Sequence, residues 1–348
     1  MLSSCFATNP PPPTAGKVTL SGISLSGFEN GCTNQGTCDL TQIQSPMSAG
    51  YNATGQMSHF VNEDGFNTFR LPVSWQYLVN SQYYASAVLN PTNFAAYDQL
   101  VQACLKTGAY CVIDLHNYGR FNGYLIGDSG GEISDALFAS FWGAIAAKYS
   151  GEPYVIFGLM NEVSPTTTTT YYVSMTYWAK TLQAAVIAIR NAGAIFNPIL
   201  LRGTDWTGTT AFVPATFDAL ANITDSGGSQ GLLIFDIQKY LDAGTGTSSE
   251  CISSYLTDAF APAAQWLRCH GRQALLTEIG GGNTNSCLEY MCPVIDFLNA
   301  NSDVFIGYLG WASGDTGLSP TLDLTPGNYN NAWVDQLLVQ GCLKPKAS

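Results

Sequence analysis

Charge is scarce in this chain. Asp, Glu, Lys and Arg make up 11% of its 348 residues, where a soluble domain ordinarily carries about a quarter. Only 13 residues are basic against 25 acidic, for a net charge of −12. Nucleic acid is therefore not an expected partner, because phosphate binding needs clustered Lys and Arg. Histidine is scarcer still, with three in all. No run approaches the roughly 18 consecutive apolar residues of a membrane span, so no membrane association is expected. The N-terminal residues carry neither the basic start nor the apolar core of a signal peptide, and the natural signal is expected to have been removed. No Gly-x-Gly-x-x-Gly turn follows the first strand-like run, and the glycines Gly280–Gly282 come without a phosphate-loop lysine. Both facts count against an open nucleotide-binding sheet.

Apolar material is plentiful, at 46%: enough for one large core, and the reverse of a disordered composition. Ten cysteines are present. Only Cys287 and Cys292 come near zinc-ligand spacing, and His59, His116 and His270 supply no obvious fellow ligands. An even count in a lysine-poor chain reads as disulfides and an oxidising compartment. The sequons at Asn52 and Asn222 agree with a secreted, extracellular glycoprotein. Residues 1–16 form an N-terminal arm whose run Pro10–Pro13 is either a stiff linker end or a tail packed along the floor of the domain. Residues 17–348 form one catalytic domain.

Short β-branched and aromatic runs at 18–28, 67–75, 110–118, 154–162, 198–206, 231–240, 273–281 and 304–313 alternate with helical patterns. The helical segments are 55–63, 94–106, 137–149, 172–191, 255–269, 288–299 and 332–338, with a less regular one at 209–221. Strands apolar almost throughout and followed by helices imply a buried parallel sheet. Eight such units point to a closed (β/α)8 TIM barrel, a single-domain α/β fold.

Barrel chemistry sits where the strands end. Those ends deliver Arg70, His116, Asn117, Asn161, Glu162, Asp205, Trp206, Gln238, Tyr240, Glu278 and Trp311. Any one could be structural, but a polar residue after each apolar run is more than a purely structural barrel needs. Cleaving an acetal takes one carboxylic acid to protonate the departing oxygen and one carboxylate near the anomeric carbon. Glu162 and Glu278 fit, since the fourth and seventh strands can face each other across the mouth. Tyr and Trp beside them suit a sugar, whose apolar faces stack on rings. A Schiff-base barrel is unsupported, because Lys239 should alternate away from Gln238 and Tyr240.

At these residues the sequence resembles glycoside hydrolase family 5, and within it the fungal endo-β-1,4-glucanases. The likeness runs from about Thr19 to Leu343 through GFENGCTNQGTC, GQMSHFVNEDGFNTFRLPVSWQYLVN, YDQLVQACLKTGAYCVIDLHNYGRFNG, IFGLMNE, AIRNAGA, LIFDIQKYLD, LLTEIGGGNTNSC and NSDVFIGYLGW. The resemblance implies Glu162 as general acid/base and Glu278 as nucleophile, the latter held by Arg70 and Tyr240. It implies Asn161 on the sugar 2-hydroxyl, His116 and Asn117 lining the same subsite, Trp311 as its floor and Trp206 on the leaving-group side. It also implies the bridges Cys32–Cys38, Cys104–Cys111, Cys251–Cys287 and Cys292–Cys342. Cys5 and Cys269 have no counterpart in the pattern and are left to pair with each other.

The sequence departs from the family in three places, four residues in all. Val163 and Ser164 stand where Pro-His usually follows the glutamate, Gln238 replaces a histidine, and Asn30 takes the place of an aromatic. A Gln238 amide can still donate a hydrogen bond to Glu162 but cannot become cationic. The expected activity is retaining, endo-acting hydrolysis of β-1,4-glucan, with a β-linked polysaccharide or oligosaccharide as partner, no cofactor, no metal, and a monomeric enzyme. The competing readings are a relative with altered specificity (mannan, mixed-linkage or branched glucan, a small glycoside, or transglycosylation) and an impaired carbohydrate-binding protein.

Overall fold

The computed structural model describes residues 16–127, 133–163, 174–203, 214–243, 246–314, 322–330 and 332–345. Eight strands close a barrel: β1 (Leu20–Ser26), β2 (Thr68–Val73), β3 (Tyr110–Leu115), β4 (Val155–Gly158), β5 (Ile199–Arg202), β6 (Leu233–Tyr240), β7 (Ala274–Gly280) and β8 (Phe305–Gly314). Neighbours in sequence are neighbours in the barrel, every pair is parallel, and β8 returns to β1. Helices of matching number follow the first seven strands: α1 (Ala53–Asn62), α2 (Pro91–Lys106), α3 (Asp135–Tyr149), α4 (Met175–Asn191), α5 (Pro214–Ala221), α6 (Ala261–His270) and α7 (Asn285–Ala300).

Local chemistry sets the helix ends. Asn90 caps α2 by accepting from the Thr92 and Asn93 amides, with Pro91 in the first turn, while Ser134 caps α3 and Thr284 caps α7. Each such cap satisfies amides that have no partner within the helix. The apolar residues sort into two layers. Leu20, Val112, Ile156, Leu200, Ile234, Leu275 and Leu309, one from each of seven strands, form a small inner cluster. On β2, the register partner of Val112 is Arg70, a charge placed inside the barrel. A far larger cluster packs strands against helices and includes the fully buried Trp75, Trp142, Trp178 and Trp266.

One local expectation is corrected, and one element had not been expected. The predicted helix at 332–338 begins instead as a strand, Ala332–Val334, paired antiparallel with Gly327–Tyr329. Trp333 there stacks on His59 with ring centroids 5.6 Å apart, a tertiary contact that outweighs the helical pattern. The chain winds up only from Leu337, ending in a wide turn at Val339–Leu343. The other surprise is a hairpin, Arg120–Phe121 with Tyr124–Leu125, turning at Asn122-Gly123 with φ of 49° and 81°.

Among the described residues four bridges close: Cys32–Cys38, Cys104–Cys111, Cys251–Cys287 and Cys292–Cys342. Cys269 is disulfide-bonded as well. Cys5, the Pro10–Pro13 run, Ser164 and Trp206 lie outside the described residues. No helix among the described residues is long and apolar enough to cross a membrane.

Candidate active site

The strand ends bring one connected polar network to the mouth. Glu278 sits within β7 and is almost fully buried. Its Oε1 accepts from Arg70 Nη1 at 2.5 Å and its Oε2 from the Tyr240 hydroxyl at 2.8 Å. Tyr240 reaches it by lying across Gly280, where an added Cβ would stand 2.5 Å from the ring. Glycine at 280 is thus required by close approach of a side chain. The β6–β7 register shifts between Ile237 and Gln238, pairing Gln238 with Glu278. Lys239, one residue on, points away and places its ammonium 3.7 Å from the Tyr255 ring centre.

Asn161 is the hub. Its Oδ1 accepts from Arg70 Nη2 at 2.7 Å and from Gln238 Nε2 at 2.8 Å. That assignment leaves Nδ2 as the donor to His116 Nε2 at 3.0 Å. His116 therefore carries its proton on Nδ1, which meets Asp114 Oδ2 at 2.9 Å. Asp114 also pairs with Arg70 at 2.9 Å. Burial alone would raise Asp114, but the Arg70 charge and the His116 hydrogen bond outweigh it and hold the carboxyl below its ordinary value. Trp311 stacks on His116, ring centroids 5.3 Å apart and 15° from parallel, with the Arg70 guanidinium 5.5 Å from its ring centre.

Glu162 lies four residues beyond β4 and keeps some exposure. Its φ of 35° is in the left-handed region, uncommon for a residue with a Cβ and frequent at functional sites. Its pKa is pushed up to about 8, first by burial and then by the negative charge of Glu278, with Arg202 and Arg70 only partly offsetting them. Two carboxyls at one mouth thus have opposite surroundings. Glu278 is clamped by a cation and a phenol, while Glu162 retains a proton through neutral pH. Different surroundings of this kind are what set two neighbouring carboxyls to different tasks.

A cellulase family profile, glycosyl hydrolase family 5, matches residues 29–316. The chain belongs to glycosyl hydrolase family 5. It is 45% identical over 341 residues to "Endoglucanase EG-II" of Hypocrea jecorina, covering 96% of this chain and 79% of that one. It is 38% identical over 328 residues to "Endoglucanase 1" of Saitozyma flava, covering 94% and 89%. Among solved structures, Cel5A (EG2) from Hypocrea jecorina superposes with a TM-score of 0.89 at 44% identity, covering 95% of this chain and all of that one.

Within this family 5 chain, nine of the ten residues singled out for catalysis or sugar binding are described, and their roles divide. Arg70, His116, Asn161, Gln238, Tyr240, Glu278 and Trp311 share the network or its ring stack, and Glu162 faces it electrostatically. Asn117 does not offer its amide to the mouth. It is fully buried, its Oδ1 taken by the Trp75 amide at 2.7 Å and its Nδ2 by Gln76 at 2.7 Å and the Arg120 carbonyl at 3.2 Å. Its work is to pin the loop after β2. Gln238 likewise spends its Nε2 on Asn161, not on Glu162.

Sequence reading missed Asp114, Asp236, Glu29 and Tyr118. Asp114 and Asp236 are interior strand residues, and their alternation with apolar neighbours was the available signal. Asp236 pairs with Arg202 at 3.1 Å and accepts from the Thr277 hydroxyl. Glu29, buried, accepts from Ser26 Oγ at 2.5 Å and the Gly27 amide at 2.8 Å, and burial raises its pKa. Tyr118 follows His116-Asn117 directly and feels the charges of Glu162 and Glu278. Nothing in its local sequence distinguishes it.

Proposed function

We propose that the chain is a secreted, retaining endo-β-1,4-glucanase in which Glu278 is the nucleophile and Glu162 the general acid/base. The observation that carries this reading is the contrast between the two glutamates: one clamped by Arg70 and Tyr240, the other holding its proton to about pH 8. Glu278 attacks the anomeric carbon as Glu162 gives its proton to the departing glycosidic oxygen. Water then displaces Glu278 from the glycosyl-enzyme, with Glu162 taking the proton back. Asn161 Nδ2 has a second hydrogen beyond the one given to His116, suited to the sugar 2-hydroxyl. Trp311 supplies an apolar face beneath the ring. The relatives' printed names, endoglucanase and endo-β-1,4-glucanase, support β-1,4-glucan as substrate rather than mannan or a binding role without turnover. The disulfides fit an oxidising, extracellular setting, and both sequon asparagines, Asn52 and Asn222, are exposed.

The test is reducing-end release from soluble β-1,4-glucan, mixed-linkage glucan and mannan, with Glu278→Gln alongside. Release from the β-1,4-glucan that Glu278→Gln abolishes is the expected result. Binding without release by the parent chain would overturn the assignment.

A further inference from the structure

Away from the mouth, His59 is the centre of a second polar cluster that the glycosidase chemistry does not use. His59 lies in the last turn of α1, and Asp64 follows just past that helix. In a β/α barrel such a helix end returns to the face where strands begin, opposite the catalytic face. The C-terminal segment delivers Asp335 to the same place. His59 Nε2 stands 2.6 Å from Asp335 Oδ1 and 3.3 Å from Asp64 Oδ2. One ligand atom from each of the three residues lies within 4.8 Å of the others.

We propose that His59, Asp64 and Asp335 form a binding site for one divalent ion of the manganese-to-zinc type, which ties the C-terminal segment to α1. Hydrogen bonds alone leave one of these donors unsatisfied. A single proton on Nε2 serves Asp335, whereas Asp64 Oδ2 stays buried with no hydrogen-bond partner, an expensive state for a carboxylate oxygen. Lys344 does not remedy this, because its ammonium sits on the other oxygen, Oδ1, at 2.6 Å. One ion accepts all three donors at once. One imidazole with two carboxylates suits ions between hard manganese and borderline zinc. Glu63 Oε2 lies 3.2 Å from His59 Nδ1, which has no hydrogen-bond partner among the described residues, so a small shift of the exposed Glu63 side chain would let it orient the ring as outer partners of metal-bound histidines do. Trp333 stacks on the imidazole and screens it. Ligands of one such ion stand about 3 Å apart in an octahedron and about 3.4 Å apart in a tetrahedron for bonds near 2.1 Å, so the Nε2–Oδ1 pair opens by about 0.4–0.8 Å on loading. Binding displaces the Nε2 proton, which makes affinity fall at acid pH.

The test uses the full chain, stripped with EDTA and dialysed, titrated calorimetrically with Zn²⁺ and separately with Mn²⁺ near neutral pH, with thermal unfolding in parallel. One equivalent bound per chain and a raised thermal midpoint are expected. Asp335→Asn, near the surface and outside the glycosidase site, should abolish both while leaving glucan hydrolysis unchanged. Glu63→Gln should weaken binding by about 10–100-fold. His59→Gln is a harsher change in a buried position, so Asp335→Asn and Glu63→Gln are the deciding variants. No saturable binding below millimolar ion, or equal affinity in Asp335→Asn, overturns the site. So does a thermal midpoint that responds to pH alone, since a protonated His59 bridging the carboxylates would then account for the cluster.

Discussion

Glu162 makes a stability prediction separate from catalysis. Its pKa rises from an ordinary 4.5 to about 8 on folding, so between those values the folded chain holds the extra proton. Stability must then decline as pH climbs through that window. Glu162→Gln removes the titration. The variant's thermal midpoint should exceed the parent's at pH 7 to 8, and the difference should shrink toward pH 4.5. A difference that ignores pH would show that Glu162 ionises as an ordinary carboxyl. The same proton sets the upper limb of kcat/KM, which should fall about tenfold per pH unit above the Glu162 pKa. Gln238 supplies a second test at this scale. Its Oε1 is buried without a hydrogen-bond partner while its Nε2 holds Asn161. Gln238→His introduces a group that, when cationic, favours the ionised form of Glu162 and moves that upper limb to lower pH. An unchanged pH–rate curve would remove any tuning role for position 238.

Among the elements, the strand–glycine–tyrosine arrangement on β6 and β7 carries the clearest consequence. A methyl at Gly280 would meet the Tyr240 ring at 2.5 Å, so Gly280→Ala should push the phenol off Glu278 and mimic Tyr240→Phe. Losing a hydrogen bond to a charged group costs about 1.5–3 kcal/mol, or about 10–100-fold in kcat, with the fold intact by circular dichroism. Unchanged kcat in Gly280→Ala would mean that the phenol does not govern Glu278. The elements themselves were legible because period and burial agree: seven predicted strands contain the observed ones, the eighth falls one residue short of Gly314, and seven helices follow in order. Legibility failed where a tertiary contact overrode the local pattern, as Trp333 on His59 turned a helical run into a strand. It failed differently at Asn122-Gly123, a standard two-residue hairpin turn whose flanking strands, two residues each, are too short to show alternation. At the site, residues at strand ends were readable, but Asp114 and Asp236 stand inside the strands, where alternation with apolar neighbours is the one local mark they carry. The loop-pinning use of Asn117 depends on contacts that no spacing reveals. Likewise, Asp335 lies 276 residues from His59, beyond any motif built on near neighbours.

At the scale of the whole molecule, two long-range bridges among the described residues do different work. Cys251–Cys287 closes 36 residues and joins the loop after β6 to α7, beside the end of β7. Gly281 fits against its sulfurs, where an added Cβ would collide with Cys251 Sγ. Cys292–Cys342 closes 50 residues and fastens the last turn of the chain to α7. Chain-entropy accounting assigns each about 4 kcal/mol, since loop length enters only as a logarithm. Stability should thus fall by similar amounts when either pair is replaced by alanine. Function should not. Loosening Cys251–Cys287 frees the backbone next to Gly280 and Glu278, so kcat should drop together with the thermal midpoint. Loosening Cys292–Cys342 should lower the midpoint while kcat, measured well below it, stays at the parent value. Equal losses of kcat in the two variants would mean that the mouth and the C-terminal closure move as one unit, and that the catalytic face has no local support of its own.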